Sequence, residues 1–568
     1  MGTHPLSKTL LRWMGESTEG VPDFVAKPRK KQQQRLAGGD PLAAGCTAST
    51  GSRFNLEPAG GDPTTGLAFP LPQNEESVDF LPNAVSAGFD IVAEGSNDFR
   101  GLFGGLGSSI SGYYVHRTAT SPCNTPDFEG GVPGVDSVGD TLLGIGDPVV
   151  AADPARNKVF YAGLGQGLFT EGINLYSTTA ATLLNATNCP PGTHDSLDSA
   201  TCWPVSTTVD VVPSFPGSPF LDDKPHMRVD EAATGSHLGA GDVYVTFTQF
   251  FNGTRIHIVA CKNDLSSCSA PQNISFPDGA PQFSHIDVRP DGTLAITYIE
   301  ITEAANALGS GTREIFTIRY ISCEPSGAPS APACSGPQTV LTDANTLPFR
   351  SVVDGGFVGG QLSGEGFRVT TYPKHDYQLE PNGHIWEYIV WDRCKVPPLL
   401  GDVCPEADVM AVAADTGTSG APLTLPSWSH AFPVAVLAGK HNFQPWIRTD
   451  ASRNIVNIAY YSNSLDSFNH RPVMLTRQIP QCTPADPRGC LTLTPAATVV
   501  FTSPDEPQAD NIFFEFGPGF GDYQGVAARG TAAGASRSYF GYTANFRPGL
   551  TEGIAVPDED NYITSFTY

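Results

Sequence analysis

The stretch Asp223-Lys224-Pro225-His226-Met227-Arg228-Val229-Asp230, answered after a turn by Val243-Tyr244-Val245-Thr246-Phe247, is the one from which the fold can be read. A polar or acidic residue stands before proline, a short apolar run follows, and a second strand rich in aromatic and β-branched residues returns. The unit recurs along the chain. Upstream it appears as Asn74-Glu75-Glu76-Ser77-Val78-Asp79 leading to Asp90-Ile91-Val92-Ala93, and as Gly146-Asp147-Pro148-Val149-Val150 leading to Lys158-Val159-Phe160-Tyr161. Downstream come Phe283-Ser284-His285-Ile286-Asp287-Val288, with its turn at Pro290-Asp291-Gly292, and Arg368-Val369-Thr370-Thr371-Tyr372-Pro373 leading to Ile385-Trp386-Glu387-Tyr388. The last two are Phe443-Gln444-Pro445-Trp446-Ile447-Arg448, leading to Ile455-Val456-Asn457-Ile458, and Gly521-Asp522-Tyr523-Gln524-Gly525-Val526, leading to Tyr539-Phe540-Gly541-Tyr542.

A period with room for four strands and their loops is the pattern of blades packed radially around a channel. The expected fold is therefore all-β, a single β-propeller with four-stranded blades over residues 74–568. The repeats give seven blades, or six if one of them is a closing strand or an insertion. Residues 1–73 lack the pattern and are expected to form a largely irregular leader.

Composition agrees. The chain holds 60 Gly and 49 Pro with only 16% charged residues, so turns are frequent and long charged helices scarce. Its net charge of −25 repels phosphate backbones and argues against nucleic-acid or anionic-membrane partners. The basic run Lys27-Pro28-Arg29-Lys30-Lys31 lies in the polar leader. No stretch approaches the ~18–20 apolar residues of a membrane span. Leu10-Leu11 and Trp13-Met14 do not make the apolar run of about 7–15 residues that a secretory signal carries, so export is expected to use a signal missing here or unconventional.

Ten of the 12 cysteines fall into close sequential pairs: Cys189/Cys202, Cys261/Cys268, Cys323/Cys334, Cys394/Cys404 and Cys482/Cys490. Each pair follows an expected strand and encloses a loop rich in Pro, Gly, Ser or Asp, which suits a disulfide stapling an outer hairpin in an oxidising compartment. Cys46 and Cys123 remain as a sixth pair by default. The spacings of structural zinc sites are absent, and no metal is expected. A secreted or extracellular location follows. Sequons at Asn185, Asn252 and Asn273 matter only in a glycosylating host.

If the first strand of each repeat starts at one face and the second returns to it, the residues opening the one and closing the other share that face. Glu75, Glu76, Asp147, Asp223, Lys224, Gln444, Asp522 and Tyr523 come from strand starts; Asn97, Asp98, Arg100, Gln249, Asp392, Arg393, Asn463, Asn545 and Arg547 from strand ends. Carboxylates with a nearby phenol suit general acid/base work on a glycoside, for which Asp147, Asp522 and Tyr523 are the catalytic candidates. Arg100, Lys224, Arg393, Gln444 and Arg547 are the substrate-binding candidates. Each carboxylate equally suits a structural role, accepting hydrogen bonds that hold blades in register. His226, His285, His375, His384 and His441 also recur near the channel, without the HxH or HExxH spacing of a metal site. No P-loop, strand-linked GxGxxG or nucleophile elbow is present, and no cofactor is expected. Gly101-Leu102-Phe103-Gly104-Gly105-Leu106-Gly107 reads as a loop.

The openings Asn74-Glu75-Glu76-Ser77-Val78, Gly146-Asp147-Pro148-Val149-Val150, Asp223-Lys224-Pro225-His226 and Gly521-Asp522-Tyr523-Gln524-Gly525 resemble those of secreted bacterial proteins of the sialidase-like, neuraminidase-repeat superfamily. The resemblance spans residues 74–568 and implies the propeller fold. Two hallmarks depart from it: no Asp-box of the form Ser-x-Asp-x-Gly-x-Thr-Trp occurs, and the early Arg-Ile-Pro signature is missing. An arginine triad for a sugar carboxylate would have to come from Arg100, Arg393 and Arg547. What these features imply is a secreted glycan-directed propeller, in the enzymatic form a glycoside hydrolase acting on an acidic sugar. The alternatives are a non-catalytic propeller that binds glycan or an extracellular protein, an extracellular assembly subunit, and a polysaccharide lyase.

Overall fold

A computed structural model describes residues 52–55 and, in segments, most of the chain between 73 and 567. It is an all-β propeller. Among the described residues, seven antiparallel sheets of four or five strands follow one another in chain order, each a meander from the inside outwards. Their inner strands are Gln73–Ser86, Asp140–Asp153, Asp222–Val229, Ala280–Val288, Lys374–Leu379, Asn442–Asp450 and Gly525–Gly530. Each inner strand packs on the next, and Gly525–Gly530 packs back on Gln73–Ser86.

The apolar core lies between neighbouring sheets, not on the axis. Val149, Ala151 and Phe160 of the second sheet meet Met227, Val229, Val245 and Phe247 of the third. Val78, Phe80, Val92 and Tyr114 of the first meet Ala527, Tyr539 and Ile563 of the last. Because both faces of every sheet are covered, the strands read as near-continuous apolar runs with few alternations, as parallel buried sheets do.

The polar residue before proline has a geometric meaning. Glu75, Asp147, Lys224, Phe283 and Gln444 occupy the same place in five inner strands, and each takes a positive φ between 47° and 61°. At each of them the pairing with the second strand slips, which makes a β-bulge. Pro148, Pro225 and Pro445 follow directly, tolerated because a bulge takes the backbone N–H out of the ladder. After the bulge, side chains two apart point inwards.

Several inward polar groups tie one sheet to the next. Ser77 Oγ accepts from Val150 N at 2.9 Å and Asp79 Oδ2 from Ala152 N at 2.8 Å. His226 Nδ1 accepts from Ile286 N at 3.2 Å, and Asp376 Oδ2 from Thr449 N at 2.7 Å. These bonds explain why the repeat is polar where a buried strand would otherwise be apolar: the bulged neighbour leaves backbone donors that must be satisfied.

Ser52–Asn55 forms the outermost strand of the last sheet, with Ser52 opposite Ser565. A strand therefore lies inside the stretch expected to be an unpatterned leader; four residues are too few to show a period.

Four of the expected disulfides lie among the described residues: Cys189–Cys202, Cys261–Cys268, Cys323–Cys334 and Cys394–Cys404. They point to an oxidising environment. Cys261–Cys268 and Cys323–Cys334 join the end of a third strand to the chain leading into the outer strand, and Cys189–Cys202 closes the connection after the third strand Thr170–Thr179 and a short helix, Ala180–Leu183, as expected of outer-hairpin bridges. Cys394–Cys404 corrects the outer-hairpin reading, because Cys394 ends a second strand, His384–Cys394, so this bridge closes the loop to the third strand Ala407–Thr418. Cys46, Cys123, Cys482 and Cys490 lie outside the described residues. No helix among the described residues is long and apolar enough to cross a membrane.

Candidate functional site

The bulged residues of the first three sheets meet at one mouth of the channel. Lys224 reaches across the axis so that its Nζ lies 2.7 Å from Asp147 Oδ1 and 3.1 Å from Glu75 Oε1. The backbone N of Lys224 donates to Asp147 Oδ2 at 3.1 Å. Asn97, closing the second strand of the first sheet, donates from Nδ2 to Glu75 Oε2 at 3.0 Å and accepts from Asp147 N at 2.9 Å. Strand starts and strand ends therefore do share a face, as the repeat implies.

Aromatic groups wall the mouth opposite these charges. The rings of Tyr372 and Tyr523 stand 6.3 Å apart, and Trp446 lies 6.4 Å from Tyr523. Lys374 Nζ lies 4.4 Å from the Trp446 ring centre and 5.5 Å from that of Tyr523. Lys224 Nζ is 5.6 Å from the same tyrosine ring. Two ammonium groups over three aromatic faces make a compact cation–π arrangement.

Burial sets the protonation. It pushes Asp147 up to about 6, against the pull of the Lys224 ammonium and with the repulsion of Asp223. Burial likewise pushes Asp392 up to about 7, although Gln444 N donates to its Oδ2 at 2.7 Å. The Tyr523 hydroxyl donates to Pro148 O at 3.0 Å, and burial raises its pKa well above the usual phenol. It is held as a phenol and lines the mouth.

Of the candidates read from the sequence, the structure brings Asp147, Tyr523 and Lys224 together, and places Gln444 in the same tier of bulged residues. Arg393 is half-buried on the strand that carries Asp392; it pairs in register with Asp408, whose pKa burial raises against the pull of Lys395 and Arg393, on the opposite side of the strand from the Asp392–Gln444 bond. The backbone of Arg547 pairs with Asp558, and its side chain is outside the described residues, as are Arg100 and Asp522. The triad of Arg100, Arg393 and Arg547 therefore lies for the most part outside the described residues.

Sequence reasoning missed the arginines that do enter the channel. Arg448 lies 3.2 Å from Asp376 and 3.4 Å from Asp287; Arg228 lies 3.4 Å from Asp287; Arg529 binds Asp79 at 2.9 Å. They come from the fifth and later residues of the inner strands, past the strand starts from which the shared face was read. This belt crosses the channel at a deeper level than the mouth.

Between mouth and belt stand His226, His285 and His375, with ring centres 3.9 and 4.9 Å apart along the row. His285 Nδ1 and His375 Nδ1 are 3.3 Å apart, and Thr297 Oγ1 is 3.0 Å from the latter. Burial holds all three neutral, His375 at about 3. They stack instead of converging, and among the described residues no group of three or more His, Cys, Asp or Glu stands in a metal-holding arrangement. His384 belongs elsewhere, 3.0 Å from Asp415, and the His441 backbone N donates to Asn463 Oδ1.

No family model and no curated protein matches the chain. Among solved structures it is similar to an α-L-arabinofuranosidase of Fusarium graminearum in complex with arabinobiose, at 10% identity over 72% of this chain and 92% of that one, with a TM-score of 0.35. It is also similar to an α-L-arabinanase of Penicillium chrysogenum complexed with arabinobiose, at 13% identity over 68% and 99% with a TM-score of 0.32. A third is an N-acetylgalactosamine deacetylase from F. plautii, at 9% identity over 62% and 91% with a TM-score of 0.27.

Proposed function

We propose that this chain is a secreted, seven-bladed propeller that acts on glycans as a glycoside hydrolase, working at the channel mouth through Asp147 and Glu75. The observation that carries the reading is the single Lys224 ammonium held by both carboxylates. Carboxyl oxygens that share one ammonium lie closer together than the ~6.5–9.5 Å that inverting enzymes need for an interposed water, which favours the retaining class. Asp147, pushed up to about 6, is the acid that protonates the leaving oxygen. Glu75, whose Oε2 takes a hydrogen bond from Asn97, is the carboxylate that attacks or shields the anomeric carbon. Tyr372, Tyr523 and Trp446 offer the flat apolar faces on which sugar rings stack, and Lys224 with Lys374 favours an acidic sugar.

A second reading is a propeller that binds glycan without turning it over. Both oxygens of Asp147 are engaged by Lys224, as a purely structural carboxylate would be.

The test is incubation of the purified protein with neutral, sialylated, uronic-acid and arabinose-containing glycans, following released sugars, unsaturated ends and anomeric configuration together. Release with retained configuration and no unsaturation supports the hydrolase. Binding to one of these glycans without release moves the assignment to the second reading, and inverted product rules out the Glu75–Asp147 pair as drawn.

A further inference from the structure

The seam where the last sheet meets the first is built differently at its two ends. At the end away from the mouth, Asp90 is fully buried but paired: Arg537 Nη1 lies against Oδ1, and the Tyr539 hydroxyl donates to Oδ2 at 2.8 Å. In the channel, Arg529 of the last sheet binds Asp79 of the first. Charges that cross the seam there are matched.

At the mouth end the seam holds Glu76 and Glu94 instead. Both are buried to 1% exposure or less. The backbone of the last sheet comes very close to them: a Cβ on Gly525 would lie 2.8 Å from Val78 N and 3.0 Å from Glu76 O, and one on Gly541 would lie 3.4 Å from Glu76 Cβ and 3.7 Å from Glu94 Oε1. Glycine at 525 is what lets the two sheets meet, whereas a Cβ at 541 would make only ordinary contact. Thr543 on the last sheet donates its hydroxyl to Glu76 Oε1. Among the described residues, Glu76 Oε2 and both oxygens of Glu94 have no hydrogen-bond partner. Among the described residues, the charged groups that bear on the pair are Glu75, beside Glu76, and the two carboxyls themselves; the strands of the last sheet bring Thr543, Gly541 and Gly525. No cation stands among them.

Two buried carboxylates without a cation would repel each other across a dry interface, at a cost that burial makes large. Proton uptake removes that cost. We propose that the Glu76–Glu94 pair is a protonation-dependent latch: the seam between first and last sheets is closed while both carboxyls carry protons and loosens when they ionise. Glu75 immediately precedes Glu76 in the chain, and Tyr523 lies two residues before Gly525, so loosening the seam displaces both sides of the mouth.

The direction with pH follows. The unfolded chain releases the Glu76 proton near 4.5, whereas the folded one holds it to about 8, and Glu94 is raised in the same sense, by burial first and then by Glu76. The contribution of Glu76 is complete below about 4.5, declines as pH rises and is gone above about 8, and that of Glu94 declines in the same sense.

The experiment is thermal unfolding of the full chain from pH 5 to 9, unmodified and as the Glu76→Gln/Glu94→Gln double variant, which keeps shape and removes the titration. The unmodified protein is expected to lose melting temperature towards pH 9 and the double variant to lose markedly less. Equal losses in both overturn the latch. Should the variant not fold, the unmodified protein decides by infrared spectroscopy: the carbonyl stretch of protonated carboxyls is expected at pH 6 and lost by pH 9, and its absence at pH 6 overturns the proposal. Hydrogen exchange, corrected for intrinsic rates, is expected to show protection across Gly525–Gly530 falling at least about tenfold over the same interval.

Discussion

Lys224 grips Asp147 twice, donating from its ammonium to Oδ1 at 2.7 Å and from its backbone N to Oδ2 at 3.1 Å. One residue thereby fixes both the charge and the orientation of a carboxylate on the neighbouring sheet. Its ammonium also reaches Glu75 on the first sheet, so three sheets are tied at one point.

Lys224→Met should leave Glu75 and Asp147 facing each other without a counter-charge. Breaking a buried ion pair from one side costs about 3–5 kcal/mol, to be read by chemical denaturation. Because the lysine holds the Asp147 pKa down, its loss should move that pKa above about 6, and any activity that needs the protonated acid should persist to higher pH.

Asp147→Asn should separate chemistry from scaffold. Glu75 still neutralises Lys224, so the stability loss should stay near 1–2 kcal/mol, while turnover falls about 10²–10⁴-fold if Asp147 is the acid. In the unmodified protein, kcat should fall as pH rises through about 6. Unchanged turnover with a lowered melting temperature assigns Asp147 to the scaffold.

Glu387→Gln should be costly for a different reason. Arg289 on the fourth sheet donates from Nε to Glu387 Oε1 at 2.6 Å and from Nη2 to the Tyr320 hydroxyl at 2.7 Å, all of it buried. Removing the carboxylate strands a guanidinium between sheets, with an expected loss of about 3–5 kcal/mol in equilibrium unfolding.

Thiol alkylation of the denatured, unreduced protein should label none of the eight cysteines that form the described bridges. Replacing Cys394 and Cys404 by Ser should lower stability by about 2–4 kcal/mol. The same variant should disturb the mouth, because Asp392, two residues before Cys394, holds the backbone of Gln444.

The sequence made the propeller legible because each inner strand opens with the same bulge, and a bulge demands a particular residue order: a polar residue in the left-handed region, often followed by proline. That order is visible in Asp147-Pro148, Lys224-Pro225 and Gln444-Pro445. The pairing of Cys189 with Cys202 was legible for a similarly local reason. What crosses the axis was not. Nothing in a linear pattern says that Lys224 faces Glu75, 149 positions away, or that His226 stacks on His285. Arg393 neighbours Asp392, and adjacent residues on a strand point to opposite sides, which a linear list of strand ends does not separate. The channel arginines Arg228, Arg448 and Arg529 were overlooked since they stand past the strand starts from which the shared face was read.

The pairing of Ser52–Asn55 with Ile554–Thr567 joins stretches some five hundred positions apart. Such a contact forms late, since closing a loop of that size must precede any reward from it. A nascent chain can lay down six sheets in turn, yet the last one waits with an open edge until the early strand arrives. That waiting interval is when the molecule is most exposed to edge-to-edge association with other copies, and a chaperone or rapid crossing into an oxidising compartment would shorten it. Deleting Ser52–Asn55 should accordingly lower soluble yield more than it lowers the melting temperature of whatever folds.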